Sequence, residues 1–279
     1  MKKFLFLSLG FLALFSRLPG SAAGQATLSV SMSPNFTGCG GASQPVIDSL
    51  FEQQLVSLVN QERSKSGLPP MKRVQELDEA ARYHAADMQQ DDYFDHNTFD
   101  RVSSALTLVC DTWARIRTFY PDPRAENIAW GYSTPSDVMN GWMNSSGHRA
   151  NILSTNREIG VGYYLPGPYW VQDFGTRPGV YPLVINSDDS ATASANVSLY
   201  IYGNWTTIRL RNNTGAWSSW QSFSNNIPWT LDSLYGLQTV EAEMSDGSSQ
   251  VSSSDTIFLT AVGMEKKTYQ PIILRGRDN

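Results

Sequence analysis

The sequence predicts two folded parts in order, an α/β/α sandwich with a mostly antiparallel sheet and then an all-β sandwich. Three observations carry this. Residues 46–63, 76–89 and 134–143 repeat apolar side chains at intervals of three and four, as helices with one buried face do. Residues 159–164 and 169–175 alternate with period two on either side of the turn formers Pro166, Gly167 and Pro168. After about residue 181 the helical periodicity stops, and short alternating runs separated by Asn, Gly, Asp and Ser take over; all three histidines and both cysteines lie before that point.

The first residues read as an export signal. Lys2 and Lys3 precede the apolar run 4–15, and Ser21, Ala22 and Ala23 offer a small-residue cleavage site. The run is short for a bilayer span. Removing residues 1–23 takes away Lys2, Lys3 and Arg17 and no acid, leaving 18 basic against 26 acidic residues and a charge of −8. An acidic chain without clustered Lys and Arg is not built for nucleic acid or anionic membrane, whose phosphates need cations. No second long apolar run follows, so the expected product is exported, soluble and not transmembrane. Cys39 and Cys110 are an even pair in an oxidising compartment and are expected to bond to each other.

A segment from 24 to 45 leads into the first helix, 46–63, whose stripe is Ile47, Leu50, Phe51, Leu55, Leu58 and Val59, with Glu52 and Gln53 off it. The second, 76–89, carries Leu77, Ala80, Ala81, His84, Ala85 and Met88 on one face, so His84 reads as a core histidine with a satisfied ring. His96 follows Tyr93 and Phe94 among the turn formers Asp95 and Asn97, in a loop free to reach a cleft. Leu106, Val109, Trp113, Ile116 and Phe119 read as an inserted helix within 101–124. Thr134 is the expected N-cap of the next helix, with Pro135 at its first position and Val138, Met139, Trp142 and Met143 on its buried face. The chain is expected to break at Gly147 and restart as a short helical turn with His148 at its beginning.

The segments DYFDHNTFD (92–100), AENIAWG (125–131), GWMNSSGHRANIL (141–153), IGVGYY (159–164) and YWVQDFG (169–175) resemble, in order, the signature segments of the CAP superfamily of cysteine-rich secretory, antigen-five and pathogenesis-related proteins. The compact SSGHRANIL is similar to the bacterial secreted branch. The resemblance covers roughly 46–178 and implies the CAP fold there, with His96, Glu126 and His148 converging on one cleft. Asn127, Trp142, Ser145 and Asn151 stand in the matching segments as its supporting residues. The family's further glutamate has no counterpart, because Asn144, Ser145 and Ser146 occupy that place. Two imidazoles and a carboxylate are a ligand set for a divalent metal, zinc first, with the fourth position open to water. With one acid missing, weak or conditional binding is expected. Ser145 and Ser146 sit too close in sequence to His148 for a triad, and no GxSxG elbow exists.

The boundary is placed in TRPGVYPLVI, where Pro178, Gly179 and Pro182 punctuate the chain, and residues 181–262 are expected to fold on their own, with 263–279 as a tail. Runs around 197–201, 208–210, 239–244 and 257–259 read as strands, and the words RLRNNTGAWSSWQSF and GLQTVEAEMSDGSSQV resemble bacterial immunoglobulin-like or fibronectin-like repeats. Trp217, Trp220 and Trp229 read first as filling of the sandwich and second as a sugar platform. The resemblance implies a secreted binding protein for a lipid, sterol or cell-wall or cell-surface ligand. A metal-dependent hydrolase, and an adhesion protein working through the β part, are the alternatives.

Overall fold

In the computed structural model, which describes residues 37–261, the first helix α1 spans Ser49–Lys65. The export signal and the tail expected from the sequence lie outside the described residues. Asp48 caps α1 by accepting from the amides of Leu50 and Phe51, both at 3.0 Å. Ile47 and Leu50 are exposed, so the buried stripe begins later than the periodicity indicated, at Leu55, Val56 and Val59. Glu52, expected off the stripe, is fully buried because Arg73 and Arg82 each reach it at 2.6 Å. Paired carboxylates are the kind that burial tolerates.

Ten elements complete the first part: β1 (Lys72–Arg73), α2 (Gln75–Gln90), β2 (Thr98–Val102), β3 (Ala105–Cys110), α3 (Thr112–Arg117), β4 (Pro123–Trp130), α4 (Pro135–Met143), α5 (Ser146–Ile152), β5 (Glu158–Tyr164) and, closing the hairpin, β6 (Tyr169–Gly175). The sheet order is β1-β5-β6-β4, parallel between β1 and β5 and antiparallel elsewhere, with β4 at an edge. One face buries Val161, Trp170 and Phe174 under α1 and α4. The other buries Ile128, Val171 and Tyr169 under α2. Helix α2 can lie directly on β5 because Gly160 and Gly162 carry no side chain; a Cβ there would stand 2.0 Å from the Leu77 carbonyl carbon and 2.2 Å from that of Ala81. These are the expected three layers.

Two expectations need correction. The stretch 101–124 is not one helix: β2 and β3 form a hairpin turning at Ser103 (φ 60°), and only Thr112–Arg117 is helical. Leu106 and Leu108 alternate with Thr107 and Val109, a period-two pattern that the apolar count obscured. The break before His148 lies at Asn144 and Ser145, the caps of α4 and α5, and Gly147 is inside α5. The start of α4 is as expected, with the Thr134 hydroxyl accepting from the Asp137 amide at 3.1 Å. Cys39 and Cys110 are joined in a disulfide, which ties the N-terminal segment to the end of β3.

The second part contains β7 (Leu183–Ile185), β8 (Ala191–Thr192), β9 (Asn196–Ile201), β10 (Thr207–Asn212), β11 (Gln221–Ser222), β12 (Asn226–Thr230), β13 (Gly236–Ser245) and β14 (Gln250–Leu259). They form a five-stranded sheet, β11-β10-β13-β14-β8, and a three-stranded one, β12-β9-β7, which share a core of Leu199, Ile201, Ile208, Leu210, Val240 and Met244. Trp229 packs against that core. Trp217 and Trp220 do not: Arg209 and Arg211 point outward from β10, and the Arg209 guanidinium lies 5.0 and 4.9 Å from the two indole centroids. The two parts meet along a polar seam. Lys72 bridges Asp188 and Asp255, the Arg73 amide donates to Asp188 at 2.9 Å, and the Tyr202 hydroxyl donates to the Pro70 carbonyl at 2.9 Å.

Candidate functional site

Edge strand β4 organises the site. Its alternation sends Glu126 and Ile128 toward α2 and Asn127 toward the opposite layer, and the antiparallel register sets Glu126 opposite Asp173 of β6. Glu126 is 1 % exposed at its side chain and has both oxygens engaged. His96 Nδ1 stands 2.7 Å from Oε1, and the wholly buried Arg115 of α3 donates to Oε2 through Nη2. Arg115 also donates to the His96 carbonyl at 2.7 Å and the Thr98 hydroxyl at 3.1 Å, so one guanidinium positions both the carboxylate and the loop that carries the imidazole.

The charges follow from these contacts. Burial alone would raise the Glu126 pKa, but Arg115, with His84 and His96, outweighs it and holds the carboxyl at about 2. The hydrogen bond to Glu126 raises His96, against a smaller opposing effect of burial. Burial lowers His148, and the nearby charge of His96 lowers it further. Asp173 is fully buried, and burial followed by the Glu126 charge pushes it well above the carboxylate range. Neither Asp173 oxygen receives a donor among the described residues, as a protonated carboxyl permits. The pocket therefore pairs an ionised carboxylate with a guanidinium, beside a buried acid whose environment favours the protonated form.

His148 opens α5 on the other side of the β4 edge. Asn127 donates to its carbonyl at 3.2 Å and to Gln172 Oε1 at 3.1 Å, while Asn151 donates to Asn127 Oδ1 at 2.9 Å and to the Glu126 carbonyl at 3.2 Å. These amides clamp α5 to β4. The buried Trp142 does the same for α4, its indole donating to the Ile128 carbonyl at 3.2 Å with its ring centroid 6.5 Å from that of His148. Ser145 caps α5 by position, without a side-chain hydrogen bond.

His96 and Glu126 are thus brought into contact, and His148 approaches from the opposite wall. The ligand atoms of these three do not all lie within 4.8 Å of one another; among the described residues only Asp87, Asp91 and Asp100 meet that test. Ligands of tetrahedral zinc at about 2 Å stand roughly 3.4 Å apart, so zinc would have to draw these walls together. As arranged, the three residues do not fit the ion.

Two participants escaped the sequence reading, and a third was read only in part. Arg115 lies inside the stretch 101–124, where only apolar positions were weighed. Asp173 shares a strand face with Val171 and Tyr169, and a carboxylate on that apolar face was a visible sign of a buried polar pocket. His84 is buried as expected, its Nε2 2.9 Å from the Asp95 carbonyl oxygen, but its Nδ1 has no partner, so the ring is only half satisfied.

Residues 56–174 match the family model CAP, Cysteine-rich secretory protein family. YkwD of Bacillus subtilis (strain 168), an uncharacterized protein, is 39% identical over 133 residues, 47% of this chain and 49% of its own. YlbC of the same organism, an uncharacterized membrane protein, is 32% identical over 134 residues, 47% of this chain and 36% of its own. The chain therefore spans about half the length or less of these curated relatives. Among solved structures, an extracellular protein containing a SCP domain from Bacillus anthracis str. Ames is 27% identical with a TM-score of 0.41, over 48% of this chain and 45% of that one. Residues 56–174 thus match the CAP domain family and have bacterial homologues. No helix among the described residues is long and apolar enough to cross a membrane.

Proposed function

We propose that this chain is an exported binding protein whose cleft at the β4 edge takes the polar head of an apolar ligand of the lipid or sterol class. The observation that carries this reading is the double engagement of Glu126. With His96 on one oxygen and Arg115 on the other, the carboxyl is held at about 2, too weak a base to take a proton efficiently near neutral pH, which favours binding over hydrolysis. His96, half exposed and bonded only through Nδ1, keeps Nε2 for a ligand hydroxyl or carboxylate.

The apolar part of the ligand has a surface to meet. Phe94, Val102, Leu106, Leu108 and Trp113 are all exposed, Leu108 by 58%, and all belong to the segment that supplies His96 and Arg115. A run of exposed large apolar side chains next to a polar pocket is the pattern of an interaction site. On this reading the CAP part spans 46–178, and the β part, 181–262, is an immunoglobulin-like module carrying a separate surface.

The test is equilibrium binding of a fluorescent fatty acid and a fluorescent sterol to the purified chain and to Leu108→Asp, an exposed position where a charge leaves the fold intact. Saturable micromolar binding by the parent, weakened about tenfold or more by the variant, is expected. Peptide or cell-wall hydrolysis by the parent that disappears in Glu126→Gln, with no binding of either probe, would establish the hydrolase instead.

A further inference from the structure

A cavity of about 410 Å³ lies along the seam between the two parts, where the end of α1 and the loop 67–70 face β9 and the start of β12. It is remote from the Glu126 cleft: the loop leads into β1, and β1 and β4 are opposite edges of the first sheet. Its size falls within the range of small-molecule sites, which favour such junctions.

The walls are rigid. Asn60 donates to the Met71 carbonyl at 3.0 Å and to the Ser187 carbonyl at 2.8 Å and accepts from the Met71 amide at 2.8 Å, pinning both sides of the seam. Asn225 donates to the Ile201 and Gly203 carbonyls at 2.8 and 3.0 Å, fixing the approach to β12. One wall is strained. Asn186, Ser187 and Asp188 are three consecutive non-glycine residues with φ of 47°, 57° and 70°, a left-handed turn that costs energy at each step. It persists because Lys72 and the Arg73 amide hold the Asp188 carboxylate and Gln53 donates to its carbonyl at 2.6 Å.

The lining is uncharged, with no Asp, Glu, Lys, Arg or His among its residues. That chemistry does not suit phosphate, metal or a carboxylate ligand. The hydroxyls of Ser64, Ser198 and Tyr200 and the side-chain amide of Asn226 line the cavity, and none of the four makes a hydrogen bond within the described residues. Leu68, Pro69 and the Tyr200 ring add apolar surface between them. Neutral donors and acceptors beside an aromatic ring match a sugar ring, which presents hydroxyls at its rim and C–H groups on its faces. From the lining, the rigid walls and the strained turn, we infer that this seam cavity is a second binding site, for an uncharged saccharide.

The test is calorimetric titration of the full chain with tri-N-acetylchitotriose and with cellotriose, each to about 5 mM. Two substitutions at exposed positions accompany it: Ser198→Trp, which fills the cavity, and Trp220→Ala, which removes the outward indole of the distant Arg209 stack. Saturable binding of at least one trisaccharide is expected, weakened about tenfold or more by Ser198→Trp and unchanged by Trp220→Ala, with thermal midpoints showing both variants folded. The inference is overturned if neither sugar saturates, if folded Ser198→Trp binds as the parent does, or if Trp220→Ala is the variant that loses binding. None of these results depends on the lipid reading of the other cleft.

Discussion

Replacing His84 by Gln separates the burial of this ring from every other titration in the molecule. His84 is fully buried, and burial first, then Arg115, brings its pKa from 6.5 down to about 3. The ring is neutral in the folded chain, whereas below about pH 6.5 the unfolded chain takes up a proton that the folded one refuses. The resulting stability is complete above 6.5 and is lost as pH falls toward about 3, at about 1.4 kcal/mol per pH unit and about 5 kcal/mol in all. Gln keeps a donor for the Asp95 carbonyl and cannot titrate. In urea unfolding near pH 7.5 the variant should be less stable than the parent by about 1–2 kcal/mol, the usual cost of a core change. Near pH 4.5 the parent has lost about 3 kcal/mol through His84 alone, so the order of stability should invert. Asp87, Asp173 and Asp255 titrate in both proteins and drop out of the difference to first order, and Glu126, which feels the His84 charge, stays ionised at both pH values. An equal gap between the two proteins at both pH values would refute the argument, because it would mean that the ring is free to protonate in the folded chain.

Two further outcomes bear on the cleft and the staple. Only three histidines exist, so each imidazole can be followed in a proton NMR titration; Glu126→Gln should move the raised His96 pKa back toward 6.5, and an unmoved value would show that the hydrogen bond is absent in solution. Serine at both Cys39 and Cys110 opens a link closing 71 residues and should cost on the order of 4 kcal/mol in urea, and two free thiols in the mass spectrum of the unreduced parent would show that no link exists.

What could be read without coordinates were features whose physics is local. The Thr134–Pro135 helix start depends on one hydroxyl, one amide and one fixed φ, and it holds as written. The strands β5 and β6 announce themselves by alternation, while the closeness of α2 to the β5 glycines is a fact of packing. The contact between His96 and Glu126 was reachable only through the family resemblance, since 30 residues separate them. The hairpin in 101–110 was misread because apolar residues spaced for a helix also fit a strand when both faces are half exposed.

Charge pairing was beyond local reading altogether. Glu52 looked like a surface residue because nothing near it in sequence is basic, yet Arg73 and Arg82, 21 and 30 residues away, neutralise it inside the core. Arg115 became the partner of Glu126, and Asp173 its cross-strand neighbour, only once α3 docked and β4 and β6 took their register. The sequence determined where helices and strands begin and which of their faces are apolar, because backbone sterics and hydrogen bonding act over a few residues. The tertiary structure alone decided which buried charges are paired, neutral or orphaned, because desolvation and Coulomb energy depend on groups brought together by the packed layers.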